Sequence, residues 1–459
     1  MRRHLRPLLA LACLLAARGA PPRAATETVL SARSFGATGD GIADDTAALQ
    51  AALDALPPEG GRVELGAGEY RLSAPLELRR AHATLAGIGT ASVLTRAFSG
   101  PDAAIVVSSA DATIAHLTLD GNGSGTGILV VAESVLLSSL LLADFEDAGI
   151  TVGDAERRAA NVTLRSCRIR NAGRRGILLA SALDARIQLC WIDQTETGIH
   201  VAPAGERASV ERFIVEDSIL DGGGSGTSGI DLDGAAGTVA SGMIYKNLVR
   251  DYATGLRASA SSGVTFSDNW VYSGARAFDL VESTWLWLVG NMVNSPGGLA
   301  AEEVVRLQDV RDVEIRRNDF WSAALCAVRA EGTVQALLSD NRSAQARLVQ
   351  SAGRGVRLEI ADNLQIEGDT VDRARPTVKL ETYAASGAAT DVVVAVEDAG
   401  SGDARAYWVV DGILRSICDA GVHRFFFDPG SYSAGPHIVG GIAVDRAANS
   451  SGLVTETLR

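Results

Sequence analysis

A small polar residue returns to one position of this chain every 22–29 residues, at Ser139, Cys167, Cys190, Ser218, Asn247, Asn269, Asn291, Asn318, Asn341 and Asn363. Each follows a short run with strand character, as in Val264-Thr-Phe-Ser-Asp-Asn269 and Val313-Glu-Ile-Arg-Arg-Asn318. A fixed period of this length means stacked supersecondary units, because one such unit cannot bury its apolar face alone. Asparagines at equivalent places in stacked units can pass amide hydrogen bonds from one unit to the next, which satisfies polar groups deep inside the stack. The predicted fold class is all-β, a right-handed parallel β-helix.

A second repeat sets the register. Gly-Ile or a variant recurs at Gly127-Ile128, Gly149-Ile150, Gly176-Ile177, Gly198-Ile199, Gly229-Ile230, Gly255-Leu256 and, degenerately, Ala277-Phe278. Each unit therefore reads as a strand, a turn at the polar slot, a second strand, a variable loop, and a third strand opening at Gly-Ile. Strand side chains alternate between faces. If each Ile points inward, the following residue points outward. Reading that outward position down the units gives Leu129, Thr151, Leu178, His200, Asp231, Arg257 and Asp279, with Asp233 two residues beyond Asp231.

Composition agrees with a tightly wound β structure: 47% of residues are apolar, only 5% are aromatic, and there are 49 glycines among 459 residues. The formal charge of −13 argues against nucleic acid as a partner. Residues 1–25 read as a secretory signal, with Arg2, Arg3 and Arg6 ahead of the apolar Leu8 to Ala17, and imply secretion to an extracellular or periplasmic space. No apolar run in the sequence is long enough for a membrane-spanning helix. Cys167 and Cys190 share the repeat slot in neighbouring units, and two stacked buried thiols are the favoured reading over a disulfide.

Ahead of the repeats, Asp44, Asp45 or Thr46 can cap a helix whose Leu49, Ala52, Leu53 and Leu56 share one face, and Pro57-Pro58 stops it. Such a helix would cover the open end of a solenoid. Asp40, Asp44 and Asp45 suit turn and cap roles better than a calcium site. The segment Ser34-Phe-Gly-Ala-Thr-Gly-Asp-Gly-Ile-Ala-Asp-Asp-Thr46-Ala-Ala-Leu-Gln50, followed by Gly60-Gly-Arg-Val-Glu-Leu-Gly-Ala-Gly-Glu-Tyr70 and Leu85-Ala-Gly-Ile-Gly89, resembles the N-terminal signature of the pectate lyase superfamily, which includes polygalacturonase-like and tailspike-like proteins. One departure is Gly66, where relatives usually carry proline. The resemblance implies a β-helix domain over 26–370 that acts on a polysaccharide.

From about Arg375 the pattern changes to alternating strands, as in Asp391-Val-Val-Val-Ala-Val and Ala406-Tyr-Trp-Val-Val-Asp-Gly412. The segment 373–459 resembles a bacterial immunoglobulin-like β-sandwich domain, which implies a spacer or surface module.

In the pectate lyase superfamily the resemblance places the active site on the outward third strand, so His200, Asp231, Asp233, Arg257 and Asp279 are the candidate catalytic residues. Arg257 in Thr254-Gly-Leu-Arg resembles an arginine that polygalacturonases carry after their own Gly-apolar pair. Their Asn-Thr-Asp triplet and Gly-His-Gly are absent, as is the Asp-Pro-His-Asp motif of alginate epimerases. Hydrolysis would use Asp231 and Asp233 as acid and base, residues i and i+2 being about 6.5 Å apart along a strand. β-Elimination would use His200 or Arg257 to take the proton beside a uronate carboxylate, histidine being the easier base. A surface ion-pair ladder without catalysis is the structural counterpart of the same pattern.

Eight arginines fall within 157–186: Arg157, Arg158, Arg165, Arg168, Arg170, Arg174, Arg175 and Arg186. Of these, Arg168, Arg170, Arg174 and Arg175 are candidate contacts for an anionic glycan. Trp270, with Trp191, Tyr272 and Trp321 on equivalent strands, is a candidate sugar-stacking residue. The functional expectation is a secreted enzyme that cleaves a uronate-containing polysaccharide by hydrolysis or β-elimination. The alternatives are a glycan-binding adhesive β-helix and a uronate-polymer epimerase. Calcium would assist a lyase, but no ligand cluster in the sequence specifies a metal, and the oligomeric state is open.

Overall fold

The computed structural model describes residues 27–295, 303–322, 324–344, 347–365, 374–384, 389–398, 403–419, 423–432, 434–445 and 449–458. The expected signal over 1–25 and the domain boundary at 370–373 lie outside the described residues. Residues 29–365 wind into one parallel sheet system of 39 strands, each strand pairing with the equivalent strand one coil earlier and one coil later. A single coil illustrates the plan. Thr163–Arg165 lies on a first face, Arg168–Ala172 on a second and Arg175–Leu179 on a third, and all three pair in parallel with Arg186–Gln188, Trp191–Asp193 and Thr197–Val201.

The polar slot works as a ladder in the later coils. Asn269 Nδ2 donates to Asn291 Oδ1 (3.0 Å), Asn291 to Asn318 (2.9 Å), Asn318 to Asn341 (3.0 Å) and Asn341 to Asn363 (2.8 Å). Each Oδ1 also accepts the preceding asparagine's backbone N–H, so one side chain serves both groups of its neighbour. The residue just before each slot takes a left-handed turn, for example Lys246, Asp268, Arg317 and Asp340 with φ of 58°, 51°, 54° and 56°. This corrects the first member of the series. Ser139 itself has φ 56°, so it occupies the bend, and the buried Leu140 fills the slot. Cys167 and Cys190 are buried free thiols inside the stack, as the favoured reading had them.

The Gly-Ile repeat also has a steric cause. Its Ile or equivalent is fully buried in every coil from Ile128 to Phe278. The glycine sits where the third strand passes close above the second-face core residue. A Cβ on Gly149 would lie 2.5 Å from Ile169, and one on Gly229 would lie 2.2 Å from Val249. Where a loop was expected before Gly229, the chain instead runs extended as the single strand Ile219–Asp233, with a register shift between Asp221 and Gly226.

The helix Thr46–Asp54 caps the N-terminal end, with Leu49, Ala52 and Leu53 buried on one face. The aspartates ahead of it serve turns rather than a helix cap, since the N-cap residue Asp45 makes no side-chain cap hydrogen bond. Asp45 accepts from the Thr38 and Gly39 N–H groups, and Asp40 from those of Ile42 and Ala43. Asp44 accepts from Thr46 and Ser73, which hold its carboxyl down to about 2.

Residues 377–458 form a three-stranded and a four-stranded antiparallel sheet, with Val392, Val394, Trp408, Val410, Phe427 and Val439 packed between them. This sandwich docks on the second face of the β-helix. Tyr407, Val409, Leu414, Ile442 and Val444 pack on Trp191, Ile219 and Leu248, with Trp270 at the edge. Polar contacts rivet the same surface: Arg405 donates to the Lys246 carbonyl (2.9 Å), and Asn294 donates to Asn449 (3.1 Å).

Candidate active site

The outward residues of the third face align rung by rung. Leu178 stands beside His200, His200 beside Asp231, Asp231 beside Arg257, and Arg257 beside Asp279. The row then continues to Arg306 and Arg329. At the parallel-strand spacing each step is about 4.8 Å. Sequence reasoning missed the last two members because the Gly-apolar mark that located the others ends at Ala277-Phe278. The equivalent pair is Val304-Val305, where a longer side chain fits in place of the glycine.

Charges alternate from Asp231 to Arg306, the row then carries a second arginine at Arg329, and the charges reach across it. Arg257 Nη1 donates to both oxygens of Asp231 (2.9 and 3.3 Å). Arg306 Nε donates to Asp279 (2.7 Å), and Arg276 lies 3.6 Å from the same carboxylate. At the other end Arg175 Nε donates to His200 Nδ1 (3.2 Å), while its Nη1 donates to Asp147 (2.7 Å). A nitrogen that accepts a hydrogen bond carries no proton. His200 in this arrangement is therefore the Nε2–H tautomer, with its lone pair covered by a guanidinium.

The local electrostatics separate this row from an ordinary surface ladder. Burial pushes the Asp231 carboxyl up from its ordinary value of 3.8, even with Arg257 and His200 pulling it down. On another part of the surface, the more exposed Asp184–Arg212 pair does the opposite, its carboxyl being lowered chiefly by the Arg212 hydrogen bond. The chemical pair is the same, so desolvation makes the difference. Burial likewise lowers His200, with Arg175 and Arg257 adding to that effect against Asp231 and Asp233. A half-buried ion pair of this kind contributes little to stability, so a desolvated carboxyl held beside an arginine is a better candidate for chemistry than for support.

Asp233 stands apart from this arrangement. Its carboxylate accepts the Ala235 N–H (3.1 Å) and so braces the turn that follows the strand. A separate cleft of about 530 Å³ lies earlier on the same three strands, its lining of Gly224–Thr227, Asp251–Ala253 and Tyr272–Ala275 ending four residues, or about 13 Å, before the row. Tyr272 and Asp251 line this cleft. Burial, then the Asp221 charge, pushes Asp251 up.

The arginine patch disperses over all three faces. Six of its eight members meet carboxylates: Arg157 with Asp154, Arg158 with Glu211, Arg168 with Asp193, Arg174 and Arg175 with Asp147, and Arg186 with Glu216. Arg175 alone of the four candidates touches the third-face row. Arg174 is exposed, 3.8 Å from Asp147, and Arg170 is exposed on the second face. Arg168 turns to the sandwich, stacking on Trp191 and reaching the Gly412 carbonyl (3.5 Å). Trp270 does the same, with the Arg405 guanidinium 4.2 Å above its ring. The expected sugar-stacking residue is thus partly covered by protein. Its signal was present in the sequence: Trp191, Ile219, Leu248 and Trp270 are outward on four consecutive coils, a stripe that demands a partner. Trp285 and Trp287 line a separate groove on the first face with Glu314, Leu337 and Arg357. Among the described residues no group of three or more His, Cys, Asp or Glu side chains could hold a metal ion.

Comparison with known proteins agrees with this architecture. Residues 29–299 match the model of the "Rhamnogalacturonase A/epimerase, pectate lyase-like" family. The chain belongs to that family. A 109-residue stretch is 39% identical to mannuronan C5-epimerase AlgE4 of Azotobacter vinelandii, covering 20% of each chain. Alginate lyase 7 of the same organism is 36% identical over 109 residues, covering 20% of this chain and 13% of that one. The matched stretch thus spans at most about a fifth of these relatives' length. Among solved structures, the A-module of the A. vinelandii mannuronan C-5 epimerase AlgE6 superposes with a TM-score of 0.59 at 17% identity, over 74% of this chain and all of that one. That likeness concerns the fold.

Proposed function

We propose that the third-face row acts on a uronate-containing polysaccharide by removing the proton beside the sugar carboxylate, the step that β-elimination and C5 epimerisation have in common. The observation that carries this reading is Asp231, a desolvated carboxyl with a raised pKa held against Arg257. Asp231 is the base. Its raised pKa brings it closer to the range where proton transfer in both directions is efficient. Arg257, with Arg306 one pair of rungs further on, supplies the cations that offset the substrate carboxylate and the charge that develops on it when the proton leaves.

His200 is a hydrogen-bond donor rather than the base. Its Nδ1 lone pair faces Arg175, and its neutral Nε2–H is free to point at a substrate oxygen. This reverses the order of preference given by intrinsic basicity, because the neighbouring guanidinium decides which atom carries the proton. The names of the sequence relatives, a mannuronan C5-epimerase and an alginate lyase, support a uronate polymer as the substrate class. The N-terminal segment supports export to where such polymers occur.

The test uses the full chain on a panel of uronate polymers. Three signals are followed: absorbance of unsaturated uronates, new reducing ends, and exchange of the C5 proton with deuterated solvent. Asp231→Asn is expected to lower the rate by at least about 100-fold, the contribution of one positioned acid–base group. Arg257→Gln is expected to lower kcat/KM by a similar factor. New reducing ends without unsaturation or exchange would replace this reading with hydrolysis. Unchanged turnover in both variants would remove the row as the site.

A further inference from the structure

Where the sandwich meets the early coils, the two parts of the chain enclose a cavity of about 330 Å³. Thr90, His116 and Ser139 come from the β-helix, and Arg415, Ser431 and Tyr432 from the sandwich. This is near the small end of ligand-binding clefts, which span roughly 300–1,000 Å³, and leaves room for about one sugar ring.

Among the described residues the guanidinium in this cavity forms no ion pair, although the Asp411 charge acts on it from a distance. Arg415 Nη1 donates to Ser139 Oγ (2.6 Å), a neutral acceptor, and the guanidinium lies 5.7 Å above the Tyr432 ring. Its Nε is buried and meets no acceptor among the described residues. The acid lining the cavity, Asp411, is committed elsewhere, to His437 Nδ1 (2.6 Å) and the Ile438 N–H (3.0 Å). The contrast with Arg405, on the same sandwich, is direct. Arg405 is almost fully buried, and it donates through Nε (2.9 Å) and Nη2 (2.6 Å) to Asp419 and through Nη1 to the Lys246 carbonyl. A buried guanidinium costs several kcal/mol unless it is paired. The fold pairs Arg405 with a carboxylate, whereas the half-buried Arg415 lines the cavity with only Ser139 and the Tyr432 ring as partners among the described residues. Tyr432 and the hydroxyls of Thr90, Ser139 and Ser431 supply the neutral donors and acceptors that a sugar or acid would need around its carboxylate.

We propose that this cavity binds one carboxylate-bearing ligand, an acidic sugar unit or a small organic acid, with its carboxylate on Arg415. This site is separate from the third-face row and does not depend on the row's chemistry. Because both parts of the chain build it, occupancy also ties the sandwich to the β-helix.

Isothermal titration of the full chain with glucuronate, acetate and glucose tests the proposal. Glucuronate is expected to bind and glucose is not. Acetate binding as tightly as glucuronate would identify a small acid as the ligand, and weaker acetate binding would identify an acidic sugar. Arg415→Gln should weaken binding by about 10- to 100-fold, the loss of one charge-assisted contact. Since Arg415→Gln also loosens a contact between the domains, Thr90→Trp gives a second arm, filling the mouth of the cavity while leaving the guanidinium in place, and should likewise abolish binding. Arg212→Gln, at the exposed Asp184–Arg212 pair outside both sites, should leave the affinity unchanged. Failure of glucuronate and acetate to bind at millimolar concentration, or binding that survives both cavity variants, would overturn the proposal.

Discussion

Replacing Asn291 by alanine removes four hydrogen bonds from the middle of the polar ladder. Its Nδ2 donates to the Phe266 carbonyl (2.8 Å) and to Asn318 Oδ1 (2.9 Å), and its Oδ1 accepts from the Asn269 backbone N–H (3.1 Å) and Asn269 Nδ2 (3.0 Å). Asn318 and the Asn269 amide each keep another partner, since Asn318 Oδ1 still accepts from the Asn291 N–H and Asn269 Nδ2 still donates to the Ile244 carbonyl. The Asn269 N–H loses its partner, in a core where Asn291 is 1% exposed and water cannot substitute, while the Phe266 carbonyl loses one bond but keeps its place in the ladder with Thr284–Val289. At about 1–3 kcal/mol for the buried group left without a partner and about 1 kcal/mol for the other bond, the cost comes to about 3 kcal/mol. Asn363→Ala makes the comparison. Its Nδ2 donates to the Leu338 (2.8 Å) and Ala361 (2.9 Å) carbonyls, but the site is only half-buried, so water can replace the lost donors and the cost should be about 1 kcal/mol. Urea unfolding gives the global values, and native-state hydrogen exchange localises the loss to coils near 266–318, as expected of a stack with nearest-neighbour coupling. If Asn291→Ala costs no more than Asn363→Ala, the ladder is not a source of stability.

Two further outcomes follow from the geometry. Trp191→Ala, at a position 5% exposed under the sandwich, should cost about 3 kcal/mol and split calorimetric unfolding into two transitions, while activity per folded molecule is unchanged; a single transition would mean that docking does not rest on this stripe. His200 is lowered by burial from its ordinary 6.5, so between its folded value and 6.5 the unfolded chain binds more protons, and stability falls as pH drops through that window. In His200→Asn that part of the slope should vanish in pH-dependent melting, and an unchanged slope would refute the assignment.

The row on the third face shows how far the sequence reaches. Gly-Ile marks the inward residue because a side chain at the glycine would collide with the second-face core, so one motif gives both the packing and the outward register from His200 to Asp279. Arg306 and Arg329 escaped notice because Val304-Val305 relieves that constraint and so erases the mark. Ser139 was placed one residue off its slot for a related reason: the bend and the slot are adjacent, both accept small polar residues, and only φ tells them apart.

Roles were less legible than positions. Arg168 and Trp270 have the chemistry of a sugar site, and nothing local distinguishes them from Arg175 and Tyr272. Their assignment depends on which face the C-terminal sandwich covers, through contacts such as Arg168 with Gly412, 244 positions apart. The choice between His200 and Asp231 as base has the same origin, because Arg175 from the neighbouring coil fixes the imidazole tautomer and burial sets the carboxyl's proton affinity.

By itself the sequence determined the coil, its register and the residues that face outward, because periodic packing and hydrogen bonding between neighbouring units are written into spacing. The tertiary structure decided which outward residues remain open, which are sealed beneath the C-terminal sandwich, and which charges find a partner. Those outcomes depend on desolvation and on partners distant in the chain, and neither leaves a period to read.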